Sequence, residues 1–295
     1  VPAVVTPPPT QVASLSPEQK TSLPPAPVFP KMLTGLIEFR DGSRYVGDYK
    51  EDKDKLQVMH GKGEFIAKDF RYTGEFRDNV KQGRGVYVWA DGARFDGDFV
   101  EDKPSGKGKW DFANGDRYEG DVKNGQIMGK GVYVSKAGDK ITGPFVNARA
   151  SGRVVYEFAS GDRFEGIMKD GVMAGEGVYT TKGGERREGT WVDGVPRGRG
   201  SYHFSNGDLY EGEFTDGALT GNGKYFFANG LRQEGNFLNG SLKGEGKFIF
   251  NDGSWFEGVF EEGGRRAKGV RIAKDGTKSP AVIVDGRVES APADK

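Results

Sequence analysis

From Gly106 onward the chain alternates strictly between two kinds of position. Gly106, Gly108, Trp110 and Phe112 are interleaved with Lys107, Lys109 and Asp111. After Asn114-Gly115, the residues Tyr118, Gly120 and Val122 are interleaved with Arg117, Glu119 and Asp121. A period of two sends successive side chains to opposite faces of a strand. The stretch therefore predicts two strands, each with one apolar or glycine face and one charged face. Asn114-Gly115 predicts a two-residue hairpin turn, because both residue types accept φ > 0, and Lys123-Asn124-Gly125 predicts a short link to the next unit.

The pattern recurs. The first glycine of each G-x-G pair falls at Gly83, Gly106, Gly129, Gly152, Gly175, Gly198, Gly221 and Gly244, a step of 23 residues. A second series on the returning strand runs from Gly74 through Gly97, Gly120 and Gly143 to Gly258 with the same step. Self-similarity at this period means an array of supersecondary units, here antiparallel hairpins joined as a meander. The outer units are irregular. An early one holds Asp41-Gly42 and Tyr45-Val46-Gly47 and is followed by the insertion Glu51 to Lys55; a degenerate last one spans Gly269 to Gly276. End repeats must cap an array, so departures there are expected.

Stacking the units creates columns. The first aromatic position is filled by Tyr87, Trp110, Tyr133, Tyr156, Tyr179, Tyr202, Tyr225 and Phe248. The second is Trp89, Phe112, Phe158, Phe204, Phe227 and Phe250, with lapses at Ser135 and Thr181. The last position of the returning strand is Phe99, Val122, Phe145, Met168, Trp191, Phe214, Phe237 and Phe260. The opposite face predicts a basic column (Arg94, Arg117, Lys140, Arg163, Arg186, Arg232) beside an acidic one (Asp96, Glu119, Glu165, Glu188, Glu211, Glu234, Glu257). A single layer leaves its aromatic face without a covering sheet, so the first column predicts a partner groove.

Composition sharpens this reading. The 48 glycines and 12% aromatics beside only 35% apolar residues suit tight turns and half-buried strands rather than a layered aliphatic core. Forty-three basic and 43 acidic residues balance, which argues against nucleic acid as a partner. There is no cysteine, hence no disulfide or thiolate metal site. Nine of the 14 prolines lie in residues 1–31, which predicts a disordered Pro-rich linker. The chain opens on Val1 without a methionine, giving the expectation of a processed chain or fragment. With the tether, that points to a cell-envelope or extracytoplasmic setting, anchored through a removed N-terminal segment.

Chemistry finds little support. His60 and His203 lie in different repeats, and neither a Ser/His/Asp set nor zinc-ligand spacing is available. The G-x-G pairs lack the following helix of a phosphate loop. The Asp/Asn-Gly pairs lack the remaining ligands of a calcium loop.

Gly198-Arg199-Gly200-Ser201-Tyr202, Asn206-Gly207-Asp208 and Tyr210-Glu211-Gly212-Glu213-Phe214 are similar to the signature of MORN (membrane occupation and recognition nexus) repeats. The resemblance covers about residues 35–276. Departures are Val154 for the second glycine, Arg187 and Gln233 for the tyrosine, and Gly143-Pro144 after Thr142, where Glu is usual. The resemblance implies an extended single-layer sheet used as a scaffold, in some relatives self-associating end to end. Other relatives are attached to lipid kinases or to a methyltransferase domain, or hold membranes together.

The expected architecture is thus an all-β, elongated, single-layer antiparallel meander of about ten hairpin repeats. Residues 1–31 form the linker, 32–278 the array, and 279–295 a tail whose Ala281 to Val284 could cap the edge. The expected function is a non-enzymatic scaffold that binds a protein partner or a second copy along the eight-ring column or at an array end. The alternatives are peripheral binding to anionic or phosphoinositide membranes, with Arg265, Arg266 and Lys268 as the contact cluster, or a targeting module of a larger protein. No cofactor, metal, nucleic acid or small-molecule substrate is expected.

Overall fold

The computed structural model describes residues 31–261 and 263–291; apart from Lys31, the segment read as a linker lies outside them. All the described strands join one open antiparallel sheet, and no helix occurs among the described residues. Strands pair with their sequence neighbours, from Leu33–Glu38 against Arg44–Glu51 to Lys278–Val284 against Arg287–Ser290, the interrupted strand Arg149–Ala150 and Gly152–Glu157 pairing as one with Lys140–Val146. At about 4.8 Å per strand the stack is ~110 Å long. The sheet runs on past residue 278: Lys278–Val284 pairs with Ala267–Ile272, and the short Arg287–Ser290 forms its outer edge.

The register sets the faces. Tyr87 lies opposite Phe95, Gly85 opposite Gly97, and Gly83 opposite Phe99. With no second sheet among the described residues to bury against, the layer folds its own rings over itself. Phe95 is fully buried, and its ring lies flat over a glycine pair. A Cβ added at Gly108 would meet Phe95 Cζ at 2.3 Å, and one at Gly97 would meet it at 2.6 Å. Tyr45, Tyr72, Tyr118, Phe164, Tyr210 and Phe256 occupy the same place, all buried. Where the residue is tyrosine its hydroxyl donates to the carbonyl three residues on: Tyr72 to Glu75 at 3.0 Å, Tyr118 to Asp121 at 2.9 Å, Tyr210 to Glu213 at 3.1 Å. Burial pushes the phenols of Tyr118 and Tyr210 up to about 12. Each buried ring contributes ~1.5–3 kcal/mol.

The two glycines of G-x-G do different work. The second is the floor beneath a ring. The first is a bulge: at Gly106 φ is +100°, and the pairing slips between Gly97 and Phe99. The backbone N–H thereby turned outward, that of Lys107, donates to Asp98 Oδ2 at 3.0 Å.

The turns differ from the sequence expectation. At Asn114-Gly115 only glycine has positive φ; Gly115 N donates to Phe112 O at 2.9 Å and Phe112 N to Asp116 O at 2.9 Å. That is a type I turn closed by a glycine bulge, a longer loop than a two-residue turn. Asn114 Oδ1 accepts Asp116 N at 3.0 Å, which holds its backbone in the turn. The two-residue turn with both φ positive sits at the other end of the strands: Asn124 (51°) and Gly125 (79°), between paired Lys123 and Gln126.

Both sides are laced from repeat to repeat. On one, Gly125 N donates to Pro104 O at 2.8 Å. On the other, Asp116 Oδ1 accepts Lys136 N at 2.8 Å, and Asp162 and Asp208 repeat this with Lys182 and Ala228. Adjacent hairpins are thus held by more than their ladder.

Candidate functional site

All eight rings of the first aromatic column lie on one face. They pack as half-buried members against the buried core: Tyr87, Trp110, Tyr133, Tyr156 and Tyr179 in one cluster, Tyr202, Tyr225 and Phe248 in a second. With their neighbours in the second column they form ladders. Trp89 stacks on Trp110 with centroids 5.6 Å apart, and Trp110 on Phe112 at 5.5 Å. Tyr156 stacks on Phe158 at 3.8 Å, and Tyr202 on Phe204 at 4.0 Å. The ladder is interrupted at Ser135 and Thr181, where no ring exists to carry it. The structure therefore divides the column into three aromatic runs.

Four of the column's six tyrosine hydroxyls are pinned. Tyr133 bonds Asp116, Tyr179 donates to Asp162 at 2.7 Å, Tyr202 to Glu185 at 2.8 Å and Tyr225 to Asp208 at 2.7 Å. Burial first, and the carboxylate second, push Tyr133 and Tyr179 up to about 12. In return Asp116 and Asp162 sit below the usual carboxylate range: the tyrosine bond is the main cause for Asp116, the Lys182 N–H for Asp162. These phenols are held neutral as donors, unsuited to nucleophilic or base chemistry.

Sequence reasoning noted Arg187 as a departure but not its place. It lies on the aromatic face, between Tyr179 and Tyr202 in register. Its guanidinium carbon is 4.4 Å from the Tyr202 ring centre, and Nη2 donates to Tyr202 Oη at 3.0 Å. Its Nε is buried without a partner. The two core clusters part here, after Trp191 and before Tyr210.

Two concavities lie on the opposite, charged face. A trough of about 700 Å³ is floored by the backbone of Gly108, Gly120, Gly131 and Gly143, at positions where any side chain would point to the other, aromatic face. A second, about 530 Å³, lies over Gly200, Gly212, Gly223 and Gly235. Ion pairs line both, such as Lys109–Glu119 at 3.1 Å in the first and Lys224–Glu234 at 3.7 Å in the second. Each exposed pair is worth well under about 1 kcal/mol. Sequence reading missed the troughs because they are negative space; the paired glycine columns, seen from the far side of the rings, were the available signal.

The three C-terminal cations, all exposed, are spread apart. Arg265 lines a hollow with Tyr225, Phe227 and Phe248, whereas Arg266 and Lys268 line another with Glu261 and Glu289.

The MORN repeat model matches seven segments of the chain, 72–94, 95–117, 118–140, 164–186, 188–209, 210–232 and 234–255. The unmatched stretch 141–163 is the unit that holds Ile141 and Val154. No curated protein matches the chain. Among solved structures, it is similar to the TCP domain of Drosophila melanogaster SAS-4 (dCPAP), in complex with a proline-rich motif of Ana2 (dSTIL), at 13% identity and a TM-score of 0.30, over 67% of this chain and 88% of that one. The TCP10 domain of Danio rerio CPAP gives 10% identity and a TM-score of 0.27 over 87% and 100% of the two chains. A streptogramin B lyase gives 13% and 0.14 over 84% and 81%. None superposes well enough to assign a function.

Proposed function

This chain belongs to the MORN repeat family as a single-sheet scaffold, and from that premise we propose that it works without catalysis, binding a protein partner or a second copy of itself along its aromatic face. One observation carries the reading. Eight rings from Tyr87 to Phe248 stand in a column on one face, half-buried against their own sheet, with no second layer over them among the described residues. Contiguous apolar area of this kind marks a partner surface, and rigid aromatic side chains supply contact area at low entropic cost.

The test is site-directed photo-crosslinking. A benzophenone amino acid at Tyr156 or Tyr202 is expected to capture a discrete polypeptide, or a second copy of the chain. The same probe at Glu211, on the charged face, is expected to capture neither. Crosslinks from Glu211 alone would overturn the proposal.

The membrane reading rests on Arg265, Arg266 and Lys268. It is weakened by the separation of Arg265 from the other two and by Glu261 and Glu289 beside them. Salt-sensitive flotation with anionic vesicles, lost when all three are replaced by Ala, would put that reading first.

A further inference from the structure

A column of cations crosses the charged face at one register: Lys62, Arg84, Lys107, Lys130 and Arg153 in successive repeats. In the earlier repeats each faces an acid. Arg84 lies opposite Asp98 and pairs with it at 3.5 Å; Lys107 lies opposite Asp121 and pairs at 2.5 Å. The acids opposite these cations then stop. Lys130 lies opposite Pro144, and Arg153 opposite Ile167. Asp121 accepts the Lys130 backbone N–H at 2.8 Å, but its ion pair is with Lys107. Among the described residues neither Lys130 nor Arg153 is in an ion pair.

These two cations border the glycine-floored trough, which five basic and only two acidic side chains line. Val132, Val155 and Val178 follow on the same face, each half-buried. The trough thus combines a backbone floor, two cations outside any ion pair among the described residues, of which Lys130 still acts through space on Asp121, and an apolar margin at Val132 and Pro144.

We infer that this trough binds an extended peptide bearing carboxylates at every third residue. Spacing selects the conformation. Lys130 and Arg153 sit two strands apart, about 9.6 Å. A β-strand presents one face every second residue, at ~6.8 and ~13.6 Å, and matches neither. A polyproline II chain has three residues per turn and rises ~3.1 Å per residue, so acids at i and i+3 share a face ~9.3 Å apart. Its solvated backbone suits a floor of backbone, whereas a helix of ~10–12 Å diameter would ride above it. This surface is distinct from the aromatic face and stands or falls independently of it.

The experiment is fluorescence anisotropy with the purified full chain and a labelled (Glu-Pro-Pro)4 peptide at low and physiological salt. One comparison peptide has the same composition with its glutamates clustered, and another is helical with Glu at i and i+7. The spaced peptide is expected to bind at least about tenfold more tightly than either. The pair Lys130→Glu and Arg153→Glu is expected to abolish that binding, Lys130→Gln with Arg153→Gln to weaken it in part, and Arg199→Glu, in the other trough, to leave it unchanged. Thermal unfolding of each variant checks that the sheet survives. Equal binding of the isomers, preference for the helical peptide, binding that survives the double reversal, or no peptide binding would each overturn the inference. So would binding only to phosphatidylserine vesicles, which would assign the cations to a membrane surface.

Discussion

The hydroxyl of Tyr179 donates a 2.7 Å hydrogen bond to Oδ2 of Asp162, while Oδ1 of the same carboxylate accepts the backbone N–H of Lys182 at 2.8 Å. One acid at the turn of one hairpin thereby clamps both a ring and the turn of the next. Asp162→Ala leaves two groups without their acceptor and is expected to cost about 1–3 kcal/mol, read as a lowered urea midpoint. Tyr179→Phe removes a single bond and is expected to cost ~1 kcal/mol.

The same clamps give the array an acid limit. Asp116 and Asp162 are held below their ordinary value of 3.8. A depressed folded-state pKa adds stability that is fully present above the unfolded value and is lost as pH falls through the folded one. Melting temperature is therefore expected to hold steady down to about pH 5 and to fall below about pH 4, more shallowly in the variant Asp162→Asn. The tyrosines set the opposite limit. Tyr133 and Tyr179, raised to about 12, favour the fold while neutral, and that contribution disappears as pH climbs from the ordinary 10 through 12. Spectrophotometric titration should show phenols ionising late, together with unfolding.

Glycine substitutions separate floor from loop. Gly108→Ala places a Cβ 2.3 Å from the Phe95 ring. It is expected to destabilise by about 1–3 kcal/mol through overpacking. At Gly183 an added Cβ meets nothing nearer than 3.7 Å and φ is not positive, so Gly183→Ala is expected to be neutral or stabilising by ~0.4–1 kcal/mol. Denaturant melts of the two variants decide between a steric floor and mere flexibility.

One unit offers a coupled test. Ile141 stands where its neighbours carry a ring, facing Tyr133 and Tyr156, and Val154 replaces the floor glycine. Val154 is 2% exposed, and its Cγ1 lies 2.8 Å from where a Cβ on Gly143 would be. The valine fills the space that a ring would occupy. Val154→Gly alone is expected to cost about 2–4 kcal/mol through cavity and backbone entropy, and Ile141→Tyr alone about 1–3 kcal/mol through overpacking. Together they rebuild the common unit. The double variant is expected to be more stable than the two losses added, by at least ~1 kcal/mol.

How much of this was legible in the sequence follows from what side chains repeat and what they do not. The period exposed the sheet, the meander and the single aromatic face, because Tyr87 and its successors recur in register. The turn at Asn114-Gly115 escaped, since its type depends on where the ladder closes, at Phe112 and Asp116, and not on the two residues alone. The buried ring column was blurred because Ile141, Arg187 and Gln233 interrupt it at every second unit. The troughs escaped for another reason: a groove floored by Gly131 and Gly143 is visible only once the strands are placed side by side.

Arg187 marks where the array should come apart. Its unit lacks the ring that covers the glycine pair in seven other units; at Gly200 the edge of Phe214 comes within 3.2 Å of an added Cβ instead. The buried core is divided between Trp191 and Tyr210. A buried Nε without an acceptor costs about 1–3 kcal/mol, offset in part by the stack on Tyr202. In a linear array stability is a sum of repeats and their interfaces, so the weakest interface sets where cooperativity breaks. Hydrogen exchange is therefore expected to show two protected blocks, with amides of Arg187–Val192 and Val195–His203 opening before both. Arg187→Leu removes the orphaned donor and keeps an apolar side chain on that face. It is expected to raise protection there and to draw the blocks toward one transition. Uniform protection across 186–203 in the parent chain would show instead that the guanidinium stack is as strong a joint as a ring.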